Sequence, residues 1–142
     1  MNVQLAYGRS GLTVNLPSQT EIVTAAYTRG ITDLRNALRA AIRKPLSGPP
    51  LAELVNPDDT VVIVHSDITR PAPNHLMIPA LITELEAAGI RREDIALLNG
   101  LGTHRRQTAA ELHALLSDHV VDNYRCLQHD GLDDENLIYL GQ

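Results

Sequence analysis

Apolar and polar residues alternate in Val3-Gln4-Leu5-Ala6-Tyr7 and again in Leu12-Thr13-Val14-Asn15-Leu16, with Gly8-Arg9-Ser10-Gly11 between them. Alternation points successive side chains to opposite faces of an extended chain, so two such runs around a glycine-bearing turn predict a β-hairpin. Pro17 ends its second strand. Glu21-Ile22-Val23-Thr24-Ala25-Ala26-Tyr27 follows no clean period and reads as a short strand or extended segment. The period then lengthens. Leu34, Ala37, Leu38, Ala41 and Ile42 recur at three-and-four spacing, one face of a helix that Thr32 or Asp33 caps and Pro45 stops. Beyond the Ser47-Gly48-Pro49-Pro50 loop, Leu51-Ala52-Glu53-Leu54-Val55 suits one or two helical turns, and Asn56-Pro57-Asp58-Asp59 is a turn.

The middle of the chain reads as strand, helix, strand. Thr60-Val61-Val62-Ile63-Val64-His65 is an uninterrupted β-branched run, the pattern of a parallel strand buried on both faces. Leu76, Ile78, Leu81, Ile82 and Leu85 predict a helix over 74–88, closed by Gly89, and Ile95-Ala96-Leu97-Leu98-Asn99 is a second apolar strand. A strand-helix-strand unit of this length implies parallel strands joined by a right-handed crossover. Thr108-Ala109-Ala110-Glu111 is a capping box that opens a helix to about Leu116. Val120-Val121, Tyr124-Arg125-Cys126-Leu127-Gln128 and Leu137-Ile138-Tyr139-Leu140 offer strand material, and His129-Asp130-Gly131 is a turn between strands. The expected fold is α/β: a three-layer domain over residues 1–142, with a mostly parallel central sheet, helices on both faces and an N-terminal hairpin.

Composition narrows the function classes. The 142 residues suffice for one domain with a sizeable core, and with no Trp, no Phe and four Tyr that core must be aliphatic. A net charge of −5 without a basic, aromatic-laced stripe argues against nucleic acid. No apolar run approaches a membrane span, and no basic-then-apolar leader opens the chain. The single cysteine, Cys126, forms neither an internal disulfide nor a zinc framework. These features suit the cytosol.

Candidate chemistry lies in the two loops that follow the parallel strands, the place where open α/β sheets bind ligands. The first is Ser66-Asp67-Ile68-Thr69-Arg70-Pro71, and the second is Gly100-Leu101-Gly102-Thr103-His104. Both emerge at one edge of the sheet and can face one cleft. Asp67 is either an acceptor for ribose hydroxyls or a turn-former that bonds its own backbone. Thr69 is a donor to phosphate or carboxylate, or a cap at the helix start. Arg70 offers a planar fork for a carboxylate or phosphate, or makes a surface ion pair. His104 is a general acid or base, or a structural histidine before a helix. Gly100 and Gly102 permit close approach or positive φ, but Arg105 stands where a dinucleotide fingerprint needs its third glycine, and no P-loop is present. His113 and His119 lack the spacing of a helical metal pair, and no metal site is predicted.

Together, Ser66-Asp67-Ile68-Thr69-Arg70-Pro71 and Gly102-Thr103-His104-Arg105 resemble the N-terminal domain of the lactate racemase family. Tyr7-Gly8, Leu12-Thr13-Val14-Asn15-Leu16-Pro17 and His129-Asp130 fit the same pattern, so the resemblance spans nearly the whole chain. It implies a 2-hydroxy acid racemase or epimerase that moves a hydride through a nickel-pincer nucleotide. It further implies that Asp67, Ile68, Thr69 and Arg70 contact the cofactor, that Arg70 approaches the substrate carboxylate, and that His104 is one of two catalytic histidines. Family members are considerably longer. The second catalytic histidine, the cofactor-linked lysine and the nickel-binding histidine are expected beyond Gln142, on a missing C-terminal domain. The chain is therefore expected to be inactive alone and unable to hold nickel as the family does, whether truncated or naturally short. An apolar face without that domain favours self-association, so a homo-oligomer is among the expected states. The alternative is a stand-alone binding module for a nucleotide, phosphate or small carboxylate.

Overall fold

The computed structural model describes residues 1–139 and 141, and the chain divides into two compact units, Met1–Gly30 and Ile31–Gln142. In the first unit, β1 (Asn2–Leu5) pairs antiparallel with β2 (Leu12–Asn15), Val3 opposite Val14. Gly8 and Gly11 supply positive φ in the turn, which completes the expected hairpin. Residues 21–27 form no strand, and Val23 and Tyr27 are exposed.

The second unit opens with α1 (Leu34–Arg43), whose cap is Asp33: its carboxylate accepts the Asn36 N–H at 3.1 Å. A 3-10 turn, Leu51–Glu53, precedes β3 (Val61–His65). Next come α2 (Asn74–Ala87), β4 (Ile95–Asn99), α3 (Ala109–Leu116), α4 (Asp118–Asn123) and β5 (Arg125–Gln128). The strands form a parallel sheet in the order β3-β4-β5, with Ile63, Leu97 and Cys126 in register. Helix α2 ends where expected. Gly89 takes φ +100°, its N–H reaches the Glu86 carbonyl, and the Ile90 N–H reaches Leu85, which closes a left-handed cap.

Ile78, Ile82 and Leu85 of α2 meet Ile95 and Leu97 of β4, Leu115 and Leu116 of α3, Val120 and Tyr124 in one aliphatic core. Val61, Ile63 and Cys126 pack against it, so the core lies on the face of the sheet that carries the odd-numbered residues of β3 and β4. The α/β class, the parallel sheet and the hairpin stand as expected. Burial of β3 on both faces does not: Val62 and Val64, on the other face, are 51% and 66% exposed. A β-branched run satisfies strand geometry whether or not its second face is covered.

Two further differences concern strand material. Val120-Val121 lies in α4, because Val120 and Tyr124, four residues apart, both reach the core, and that packing overrides β propensity. Leu137, Ile138 and Tyr139 form no strand, and Leu140 lies outside the described residues.

The capping box of α3 is present: Thr108 Oγ1 accepts the Glu111 N–H at 3.3 Å, and Glu111 Oε2 accepts the Thr108 N–H at 2.8 Å. Arg105 adds a two-pronged bond to the same carboxylate, at 2.7 and 2.8 Å. Arg105 first, then Thr108, brings the Glu111 carboxyl down to about 2. Thr108→Ala should lower stability by about 1 kcal/mol, read as a fall in the denaturation midpoint.

Candidate functional site

At the carboxyl ends of β3 and β4 the backbone must leave the sheet, and two short loops meet there. The β3 loop is a tight turn in which the Arg70 N–H reaches the Asp67 carbonyl at 3.2 Å. Its first residue is held from below. The Ser66 carbonyl accepts His65 Nδ1 at 3.0 Å and Asn74 Nδ2 at 3.3 Å, which ties the strand end to the start of α2. The β4 loop turns at Gly102, whose φ of +58° lies in the left-handed region, and the His104 N–H returns to the Leu101 carbonyl. Gly100 needs no such conformation; a Cβ there would meet only ordinary contacts with Val64 and His65.

The loops enclose a cleft of about 270 Å³ lined by Asp67, Arg70, Gly102, Thr103 and His104, among others. Asp67 is buried, 4% exposed, and its carboxylate is shared: Oδ1 accepts Thr69 Oγ1 at 2.8 Å and Oδ2 meets His104 Nδ1 at 2.5 Å. The His104 bond, then that from Thr69, holds the Asp67 carboxyl below its ordinary value of 3.8. Ionised at neutral pH, it can only accept, so His104 Nδ1 must carry the hydrogen. In the neutral imidazole, Nε2 then keeps its lone pair. The His104 side chain is about half exposed, 48%. Arg70 lines the same cleft, and its guanidinium makes no hydrogen bond or ion pair among the described residues.

Of the residues singled out from the sequence, Asp67, Arg70 and His104 thus come together. Thr69 reaches the site through its bond to Asp67. Ile68 is 40% exposed and does not line the cleft. His129 and Asp130 do not bond each other; Asp130 Oδ1 accepts the Leu132 N–H at 3.1 Å and shapes its own turn. Among the described residues, no group of three or more His, Cys, Asp or Glu side chains is placed to hold a metal. A larger cavity, about 350 Å³, lies elsewhere, against α1 and α2. The loop cleft is the stronger candidate because it joins a buried ionised carboxylate, an oriented imidazole and a guanidinium unpaired among the described residues.

Support beneath the cleft comes from residues outside the two loop motifs. Register aligns His65, Asn99 and Gln128 across the three strand ends on the core face. His65 is buried, and burial lowers its pKa. Gln107 and Gln128 bond reciprocally, the Gln107 N–H to Oε1 at 2.6 Å and Gln128 Nε2 to the Gln107 carbonyl at 3.1 Å. The Asn99 carbonyl accepts the N–H groups of Leu101 and His129, although its fully buried side-chain amide has no protein partner. A Cβ on Gly131 would overlap the Gly102 carbonyl oxygen, so the β5 loop approaches the β4 loop too closely for a side chain there. The sequence signal is clear for two of the row: His65 and Asn99 each end an apolar strand.

A family model described as the lactate racemase N-terminal domain matches residues 7–142. Curated lactate racemases from Thermoanaerobacterium thermosaccharolyticum and Lactiplantibacillus plantarum are each 26% identical over 145 residues, 99% of this chain and 34% of theirs. The solved lactate racemase apoprotein from T. thermosaccharolyticum superposes with a TM-score of 0.76 at 26% identity, over 100% of this chain and 33% of its own. A solved protein from Thermotoga maritima, 24% identical, shares the fold at a TM-score of 0.52 over 76% of this chain and 23% of its own. The chain spans about a third of the length of the curated relatives it matches. Among the described residues, no helix is long and apolar enough to cross a membrane.

Proposed function

Because the chain belongs to the lactate racemase N-terminal domain family, we propose that it supplies one wall of a 2-hydroxy acid racemase or epimerase site, as the N-terminal part of a longer enzyme. The observation that carries this reading is the Asp67–His104 pair beside Arg70 in one cleft. A 2-hydroxy acid presents a carboxylate next to a carbon bearing both the hydroxyl and the hydrogen to be moved. Arg70 binds the carboxylate through its planar fork. His104 takes the hydroxyl proton at Nε2 and later returns it, while Asp67 holds the imidazole in the required tautomer. Inversion needs hydrogen returned to either face, so a second acid-base group must face the substrate from outside this chain.

The donor set fits the nucleotide part of a nickel-pincer cofactor: an acceptor-only carboxylate, an unpaired guanidinium and the open backbone at Gly102. We assign Asp67, Ile68, Thr69 and Arg70 to the segment that faces it, and none of this chain's residues to nickel. When bound, that cofactor supplies a hydride acceptor. The test is racemisation of a panel of 2-hydroxy acids by the full-length enzyme made with its cofactor-producing proteins. Arg70→Ala should lower kcat/KM roughly tenfold to a hundredfold, mainly through KM. Unchanged kinetics in that variant, or a full-length protein without nickel, overturns the reading.

A further inference from the structure

The larger cavity, about 350 Å³, shares no lining residue with the loop cleft. Arg35 and Arg39, one turn apart on α1, line it with His75 and Glu84 of α2 and with Ser117 and His119 at the junction of α3 and α4. The charges are unequal. Glu84, itself buried, receives Arg43 at 2.8 Å, while Arg39 stands 3.7 Å away. Arg39 and Arg43 thus share one carboxylate, and Arg35 has no hydrogen bond or ion pair among the described residues. The ring nitrogens of His75 and His119 and the Ser117 hydroxyl are likewise unpaired. Ser117 holds φ +89°, alone among the described non-glycine residues at positive φ, a conformation that persists where the surroundings fix it. Leu76, Pro79 and Ala80 add an apolar strip to the same wall.

We propose that this cavity binds a phosphate monoester, its dianionic head held by Arg35, Arg39, the two imidazoles and Ser117, its organic part lying on the apolar strip. Guanidiniums suit phosphate because their paired N–H groups match two oxygens at once. The volume lies in the range of small-ligand sites, at its lower end. Neither the family reading nor the loop cleft requires it.

The test is an NMR titration of the 142-residue chain with phenyl phosphate, inorganic phosphate and chloride at constant ionic strength, following the imidazoles of His75, His119 and His104. Phenyl phosphate should move His75 and His119 saturably and bind more tightly than inorganic phosphate. Arg35→Ala should weaken it roughly tenfold or more and leave the thermal midpoint and the His104 signals unchanged. Arg35→Lys should fall between, keeping charge but losing the fork. Absence of saturation, the same shifts with chloride, or undiminished binding in Arg35→Ala overturns the site. Equal affinity for inorganic phosphate overturns the ester and leaves a free phosphate as the ligand.

Discussion

Turnover by the full-length enzyme should fall roughly a hundredfold to ten-thousandfold in His104→Ala, with a loss of the same order in Asp67→Asn. The two losses have different causes. Alanine removes the proton acceptor. Asparagine keeps the shape beside His104 but removes the charge, and an amide can donate to Nδ1 as readily as accept from it. The hydrogen is then free to sit on Nε2, where it blocks the role of base. Imidazole ¹⁵N shifts in the isolated chain separate these effects from turnover: His104 should be an Nδ1–H tautomer in the native chain and should lose that preference in Asp67→Asn. Full activity in His104→Ala, or an unchanged tautomer in Asp67→Asn, would sink the assignment.

The same carboxylate gives the fold an acid limit. Its folded pKa lies below the ordinary 3.8, so its contribution to stability is complete above that value and is lost as pH falls through the folded pKa. His65 acts at higher pH. Burial lowers its pKa from 6.5, so its neutral form favours the fold above 6.5 and this contribution fades as pH falls through the lowered value. Acid unfolding should therefore show a first loss below about pH 6.5 that does not involve Asp67, and a second below about pH 4, shared with Glu111, that shrinks in Asp67→Asn.

The loops at the sheet edge were legible because polar residues interrupted apolar strands at the point where the chain must turn. Asp67 and His104 could be named one at a time, each with a bland alternative. What the sequence could not supply was their contact, which depends on β3 and β4 being neighbours in register, His65 beside Asn99. Helix α4 is hidden in the sequence for a related reason. Val120-Val121 carries β propensity, and only the core that receives Val120 and Tyr124 decides for helix. The open face of β3 was missed because a β-branched run reports strand geometry and says nothing of what covers it. In the sequence Gly131 is a turn glycine, whereas its constraint comes from a loop distant in sequence.

That constraint makes Gly131→Ala the second large effect. A Cβ built on Gly131 overlaps the carbonyl oxygen of Gly102 and lies 3.2 Å from its carbon, with His129 Cε1 at 3.4 Å. The obstacle is backbone, so no rotamer change relieves it; one loop must move. The β4 loop has little freedom, because Gly102 turns it, the Asn99 carbonyl holds Leu101 and His129 together, and His104 is tied to Asp67. Overpacking of this kind costs about 1–3 kcal/mol, read as a lowered denaturation midpoint. Displacing His104 from Asp67 by even an ångström should also cost roughly a hundredfold in turnover. The His104 tautomer should loosen as it does in Asp67→Asn, although both side chains of the pair are intact. Gly30→Ala is the control, since a Cβ there meets nothing within 4 Å and φ is not positive. If Gly131→Ala matches that control in stability and in the His104 signals, the β5 loop does not brace the site, and His104 owes its position to Asp67 and the Gly102 turn alone.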